Sequence, residues 1–336
     1  IVGAGISGLA AAWKLAKAGV DDFLLLEMEG EPGGNSRAGQ SPVVAYPWGA
    51  HYLPLPTRES VAVRELLAEL GVLHGDPAAA RPQYDERYLC ATPQERVYRH
   101  GLWEEGILPQ RGLDAAERDQ QRRFHERMDE LKNARGRDGR RAFAIPMEFS
   151  SRDPEWLALD RIPFSKWLTD NGFTAPTLHW LANYATRDDY GAAHDQTSAW
   201  AGLHYFACRS GEGANAASDT VLTAPDGNAW LARGLARHAA GRILTDALAW
   251  RIEEGKSSVA VDVLHGAKTV RIEARQVIWA APAFLLPRVW PALPEELKAA
   301  ALAGDYAPWL TANLHLADFP EERHGAPPAW DNVLYD

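Results

Sequence analysis

Residues 1–27 read IVGAGISGLAAAWKLAKAGVDDFLLLE, and the fold turns on what this stretch builds. Gly3, Gly5 and Gly8 form G-x-G-x-x-G, a weak signal alone because three glycines at that spacing arise by chance in long chains. Its context is stronger. Ile1-Val2 can end a buried strand, and Ile6, Leu9, Ala10, Trp13, Leu15 and Ala16 recur at the spacing of a helix packed on a sheet. Lys17 falls in the last turn of that helix and Gly19 at its C-terminal stop. Phe23 to Leu26 then reads as a second buried parallel strand ending on Glu27. Each glycine has a task in such a unit: Gly3 allows the tight turn, Gly5 lets the backbone approach a pyrophosphate, and Gly8 lets helix and strand pack closely. The helix N-terminus favours phosphate charge. Glu27 can accept hydrogen bonds from a ribose diol, and its charge disfavours a 2′-phosphate. The alternative is an ordinary βαβ unit with chance glycines.

The whole chain suits a large globular protein. Its 336 residues are 46% hydrophobic and 24% charged, and the length implies more than one domain. A net charge of −10 argues against nucleic-acid binding, which needs cations against the phosphate backbone. Cys90 and Cys208 form no CxxC pair, so neither a disulfide framework nor a zinc site is expected, and no HExxH metal spacing occurs. No apolar run is long enough to span a bilayer. The glycine motif starts almost at Ile1, with little strand ahead of it. Further chain upstream is therefore expected, and the compartment is left open.

The segment after Glu27, MEGEPGGNSRAG, carries a second glycine pair, Gly33-Gly34. Read locally it is a turn at Pro32-Gly33. Together with the first motif it resembles the flavoprotein superfamily of flavin-containing amine oxidases, phytoene desaturases and protoporphyrinogen oxidases. The resemblance implies FAD and an α/β fold: a Rossmann-like FAD-binding domain (GR2-type flavoprotein) with an interleaved α+β substrate domain. It continues in YPWGAHYLPLP (46–56), whose family counterpart passes beside the flavin ring. There Gly49 would allow close approach, and His51 and Tyr52 are the candidates nearest the ring or the substrate cavity. It continues again in TAPDGNAWLARGLARH (223–238), in a strand whose Ala249, or alternatively Leu248, would lie against the adenine, and in VIWAAP, which includes Ala280. The implied cofactor-binding residues are Gly3, Gly5, Ile6, Ser7, Gly8, Glu27, Met28, Gly33, Gly34, Asn35, Ser36, Gly49, Ala50, His51, Ala249 and Ala280. The implied domains are 1–58 with 215–285 for FAD, its last part expected beyond residue 336, and 59–214 with 286–336 for the substrate.

Other segments fill in this plan. Residues 59–72 read as an amphipathic helix stopped by Gly71. Leu113, Phe124, Met128 and Leu131 mark a charged surface helix followed by a mobile NARGRDGRR tail. Residues 142–214 hold many aromatics, most expected in the core and some lining a substrate cavity. A parallel core strand is expected over Val277–Ala281.

The resemblance implies oxidation of a small amine, or of another apolar or aromatic molecule, by hydride transfer to flavin N5. FAD carries the redox chemistry, and the protein orients and encloses. Two departures weigh against an amine. Asn35 stands where amine oxidases usually have Arg, with Arg37 two residues on. Asn313 stands where many members have a Lys near N5, and no Lys follows Lys298. GGNS also resembles UDP-galactopyranose mutase, a non-redox flavin enzyme, for which Arg187 and Arg209 would have to hold a diphosphate. A non-catalytic flavoprotein is the third possibility. Asp188 and Asp189 could attract a polyamine or merely cluster at the surface. His51, His179, His194 and His204 form no catalytic constellation in the sequence. Neither oligomeric state nor membrane association is decided by the sequence.

Overall fold

The computed structural model describes residues 1–90, 94–217 and 219–335. The chain divides into two compact units, Ile1–Tyr52 with Thr223–Tyr306, and Leu53–Leu222 with Ala307–Asp336.

The first unit is built on a small parallel sheet. Leu25–Leu26 pairs in parallel with Ile243–Leu244, and Val2 bridges Leu26 on one side and Trp279 on the other. The strand expected over 277–281 pairs only around Trp279, where Val2 N–H donates to Ile278 O and Ala280 N–H to Val2 O. Among the described residues it meets the sheet on one side only, as an edge does, and Ile278 is 40% exposed. The helix Ile6–Lys17 buries Gly8, Leu9, Ala12 and Trp13 and ends at Ala18, after which Gly19 takes φ +74°. It packs on the helix Ala229–Ala236, whose apolar residues are almost all buried. An antiparallel meander, Ala247–Glu254, Val259–His265 and Lys268–Ala274, completes the unit. Its inner face shares a core with Val2 and Leu26 through Ala247, Ala249, Ile252, Val261 and Val263.

The second unit is mainly helical. Helices Ala115–Asn133, Phe164–Asp170, Pro176–Tyr190 and Ala199–Ala207 surround a core rich in rings. Phe124 meets Phe173 and Phe206 edge-on at 5.5 and 5.3 Å. Each fully buried phenylalanine contributes about 2–3 kcal/mol of transfer free energy. The long helix buries Gln121, Phe124, Met128 and Leu131 at the predicted spacing, but it starts after the Asp114 cap and so excludes Leu113. The expected helix at 59–72 forms over Val61–Glu69. A short sheet joins Asp331–Leu334 in parallel to Glu95–Arg99, which pairs antiparallel with Leu102–Glu105.

The segment expected to be a mobile basic tail is instead folded down. Gly136 N–H donates to Arg140 O (3.0 Å) and Ala142 N–H to Ala134 O (2.8 Å). Arg141 is mostly buried, donating to Lys132 O and Ala207 O. Charge density in the sequence did not show that carbonyls waited for these donors. Among the described residues no helix is long and apolar enough to cross a membrane.

Candidate functional site: a glycine-lined cradle

The site lies in the first unit and starts at the N-terminus of the helix Ile6–Lys17. Gly5 is its N-cap, in extended conformation (φ −69°, ψ −176°), and no side chain caps the helix. Its first-turn N–H groups are thus left to water or to an anionic ligand. Ile6 and Ser7 are exposed there, while Gly8 is buried. A Cβ on Gly8 would stand 1.9 Å from Gly3 O, so the helix can lie this close to the strand only with glycine. Gly3 takes φ +96° beneath Ala280, whose carbonyl oxygen would be 3.0 Å from an added Cβ.

The second glycine pair forms the opposite wall. Gly33 N–H donates to Ala4 O (2.8 Å), and Gly5 and Gly33 form a parallel bridge. A Cβ on Gly34, at φ +55°, would lie 3.2 Å from Gly5 Cα. Two stretches of bare backbone therefore face one another, leaving polar groups accessible to a ligand that approaches closely. Asn35 is exposed and accepts from Ala50 N–H (2.9 Å), whereas Ser36 is buried. A Cβ on Gly49 would be 2.8 Å from Asn35 O, so the 49–51 segment rests directly on the glycine-pair loop.

Glu27 is 8% exposed. Its two oxygens accept from Ala4 N–H and Glu29 N–H, both at 2.9 Å. This charge is held by backbone donors and stands where the first motif meets the second strand. Met28, the next residue, is 58% exposed. The turn into the meander passes beside them: Asp246 N–H donates to Glu29 O and Ala247 N–H to Glu27 O. Ala249 faces the core, while its neighbour Leu248 is 40% exposed.

His51 and Tyr52 stand edge to face at 5.0 Å, and His51 Nδ1 is 3.2 Å from Gly49 O. Their backbone is fixed from the far end of the unit. Thr223 Oγ1 donates to His51 O, Asn228 N–H to Ala50 O, and Asn228 Nδ2 to Tyr52 O. Asn228 Oδ1 is buried and has no partner among the described residues. Sequence reading placed 223–238 in the cofactor unit but did not single out Thr223 or Asn228. Arg37 folds back, with Nε on Gly34 O at 3.3 Å and the guanidinium 3.8 Å from Glu29. It thereby links the glycine-pair loop to the loop after Glu27.

This arrangement defines the class: a mixed α/β protein with a Rossmann-like dinucleotide-binding unit and an amine-oxidase-like fold. The model of the NAD(P)-binding Rossmann-like domain family matches residues 1–70. Among solved structures, putrescine oxidase bound to putrescine superposes with a TM-score of 0.64 at 21% identity, over 89% of this chain and 62% of that one. Cyclohexylamine oxidase from Brevibacterium oxydans gives 0.61 at 19% identity, over 89% of this chain and 61% of that one. A fatty acid isomerase from P. acnes gives 0.60 at 18% identity, over 88% and 61%. The chain thus spans under two thirds of the length of these proteins. No curated protein matches its sequence.

Proposed function

We propose that the chain belongs to an FAD-dependent, amine-oxidase-like oxidoreductase. Residues 1–58 and 215–285 would form the FAD-binding domain, and 59–214 with 286–336 the substrate domain. The observation that carries this reading is the apposition of Gly5 and Gly34, which leaves facing backbone without side chains beside an uncapped helix N-terminus. That is the geometry a diphosphate requires. Glu27 suits a ribose diol, and the Asn35–Gly49 contact sets the segment that would flank the flavin. The unpartnered Asn228 Oδ1 is a further acceptor behind that segment. When bound, FAD supplies two-electron oxidation of the substrate. This chain's residues bind it, orient it and shield it from water. The two oxidases reported above, alike in fold, favour an amine as substrate.

A non-redox role, like that of a sugar-nucleotide mutase, is the second reading. It is favoured by Asn35 after the glycine pair and by Asn313 where many members of the resembled family carry a lysine. The test is the visible spectrum of the purified full-length protein, held without oxygen, before and after a panel of primary amines and diamines. A flavin band that bleaches with an amine supports the oxidase. A band that stays oxidised throughout favours the mutase-like or a non-catalytic role. A folded full-length protein that binds no flavin overturns the cradle reading.

A further inference from the structure

In the second unit, the basic segment 132–141 folds into a surface that the cofactor cradle does not use. It places Lys132, Arg135, Arg137, Arg140 and Arg141 against one carboxylate, Asp138, in a protein of net charge −10. That carboxylate is spent on neighbouring donors: it accepts from Ser151 Oγ (2.9 Å), Arg152 N–H (2.9 Å) and Arg140 N–H (3.1 Å). Asp153 is buried and accepts from the N–H groups of Arg137 and Glu155. Glu148 and Glu155 are the exposed carboxylates nearby in the chain. Arg135, Arg140 and Arg152 are exposed, and the Arg137 side chain is 88% exposed, 3.7 Å from Asp153.

Backbone bonds join this segment to a second loop. Arg135 and Arg141 form an antiparallel bridge, and Ser151 N–H donates to Arg141 O at 2.7 Å. Arg140 Nη1 lies 3.5 Å from Glu148 O, in the single turn Met147–Phe149. On that turn Met147 is 64% and Phe149 44% exposed. The turn is fixed in place: Ser150 N–H donates to Met147 O at 2.9 Å, and Ser150 Oγ accepts from Ala144 N–H at 2.9 Å. Two apolar side chains are thus held out to water beside a group of exposed arginines.

We propose that this face docks on an anionic phospholipid surface, with Arg135, Arg137, Arg140 and Arg152 on the headgroup phosphates and Met147 and Phe149 entering the acyl boundary. The planar guanidinium matches a phosphate with two parallel hydrogen bonds. An anionic leaflet attracts clustered arginines, and an apolar side chain beside them gains by leaving water at the headgroup boundary. The loops are already tied down, so little ordering entropy is lost on docking. The acidic remainder of the chain is repelled by the same surface, so contact is shallow and salt reverses it. Docking of this kind does not depend on flavin.

The experiment is co-sedimentation of the full-length protein with vesicles of phosphatidylcholine alone and of phosphatidylcholine mixed with phosphatidylglycerol. The mixed vesicles should carry the protein down, phosphatidylcholine alone should not, and added salt should release it. Arg137→Gln combined with Arg140→Gln should weaken partition about twentyfold, the order expected for two arginines withdrawn from an anionic surface. Met147→Ser combined with Phe149→Ser should weaken it about tenfold through lost apolar contact. All four side chains are exposed, so both double variants should keep the wild-type thermal transition, which verifies their fold. No sedimentation with the mixed vesicles, equal sedimentation with phosphatidylcholine alone, or unchanged partition in either double variant overturns the proposal. Poly-glutamate bound as tightly as the mixed vesicles, and equally by the serine variant, would assign the face to an acidic protein and overturn the lipid surface.

Discussion

Replacing Gly5 and Gly8 separately by alanine distinguishes a glycine kept for folding from one kept for a ligand. At Gly8 the new Cβ would lie 1.9 Å from Gly3 O and 3.3 Å from Leu25 Cδ1. Ordinary contact begins near 3.4 Å, so helix and strand must part by about 1.5 Å. Overpacking of this kind costs about 1–3 kcal/mol. At Gly5 the backbone already has φ −69°, and the nearest atom to a new Cβ is Gly34 Cα at 4.0 Å. The unliganded chain therefore accepts alanine without strain and gains about 0.4–1 kcal/mol from a less flexible unfolded state. The same methyl fills the gap between the two glycine segments. Gly8→Ala should thus lower Tm by several degrees, at roughly 2–4 °C per kcal/mol for a unit near this size. Gly5→Ala should leave Tm unchanged or slightly raised while abolishing flavin retention. The assay pairs thermal unfolding of the flavin-free chain with flavin absorbance after gel filtration of the full-length protein. A Gly5→Ala protein that retains flavin with wild-type affinity would refute the assignment of this gap to the diphosphate.

Four further outcomes follow from groups the fold buries. His204 and His194 are held below the ordinary imidazole range, first by burial and for His194 also by His179, whose Nδ1 lies 3.1 Å from His194 Nε2. The unfolded chain takes up their protons first, so the stability they contribute is complete above about pH 6.5 and lost as pH falls below it; His204→Gln should flatten the acid limb in urea titrations between pH 7 and 5. Glu95 has the opposite sign: raised to about 7, it costs stability above that pH and recovers it on acidification toward 4.5, so Glu95→Gln should stabilise the chain at pH 8 and not at pH 4.5. Burial pushes the Cys208 thiol up to about 12 and raises Cys90 as well, so neither should react with iodoacetamide at pH 8 until urea unfolds the chain, as mass spectrometry of the alkylated protein would show. Arg64 is 2% exposed and donates to the carbonyls of Pro56, Pro77 and Ala79, so Arg64→Met should cost about 3 kcal/mol in urea unfolding, chiefly by stranding those acceptors.

The sequence by itself determined the opening Rossmann-like βαβ unit, because its chemistry is local. A glycine that must touch a strand, a helix that must start uncapped and a carboxylate that must end the next strand all fall within residues 1–34. Periodicity also marked two helices, one expected over 59–72 and one through Phe124, Met128 and Leu131, which form over Val61–Glu69 and Ala115–Asn133, since each buries one stripe. Other features arose only when distant segments met. Arg141 read as part of a mobile charged tail, and Arg64 was not singled out at all, until the fold brought carbonyl oxygens around them. Thr223 and Asn228 gained their roles only by reaching back to residues 50–52. Trp180 was one aromatic among many until Trp309 and Val333 closed a cavity over it. Glu95 and Asp331, far apart in the chain, became neighbours only through the parallel register of their strands. Local chemistry is written in spacing along the chain. Burial of charge and closure of a cavity depend on which strands pair, and no local spacing records that choice.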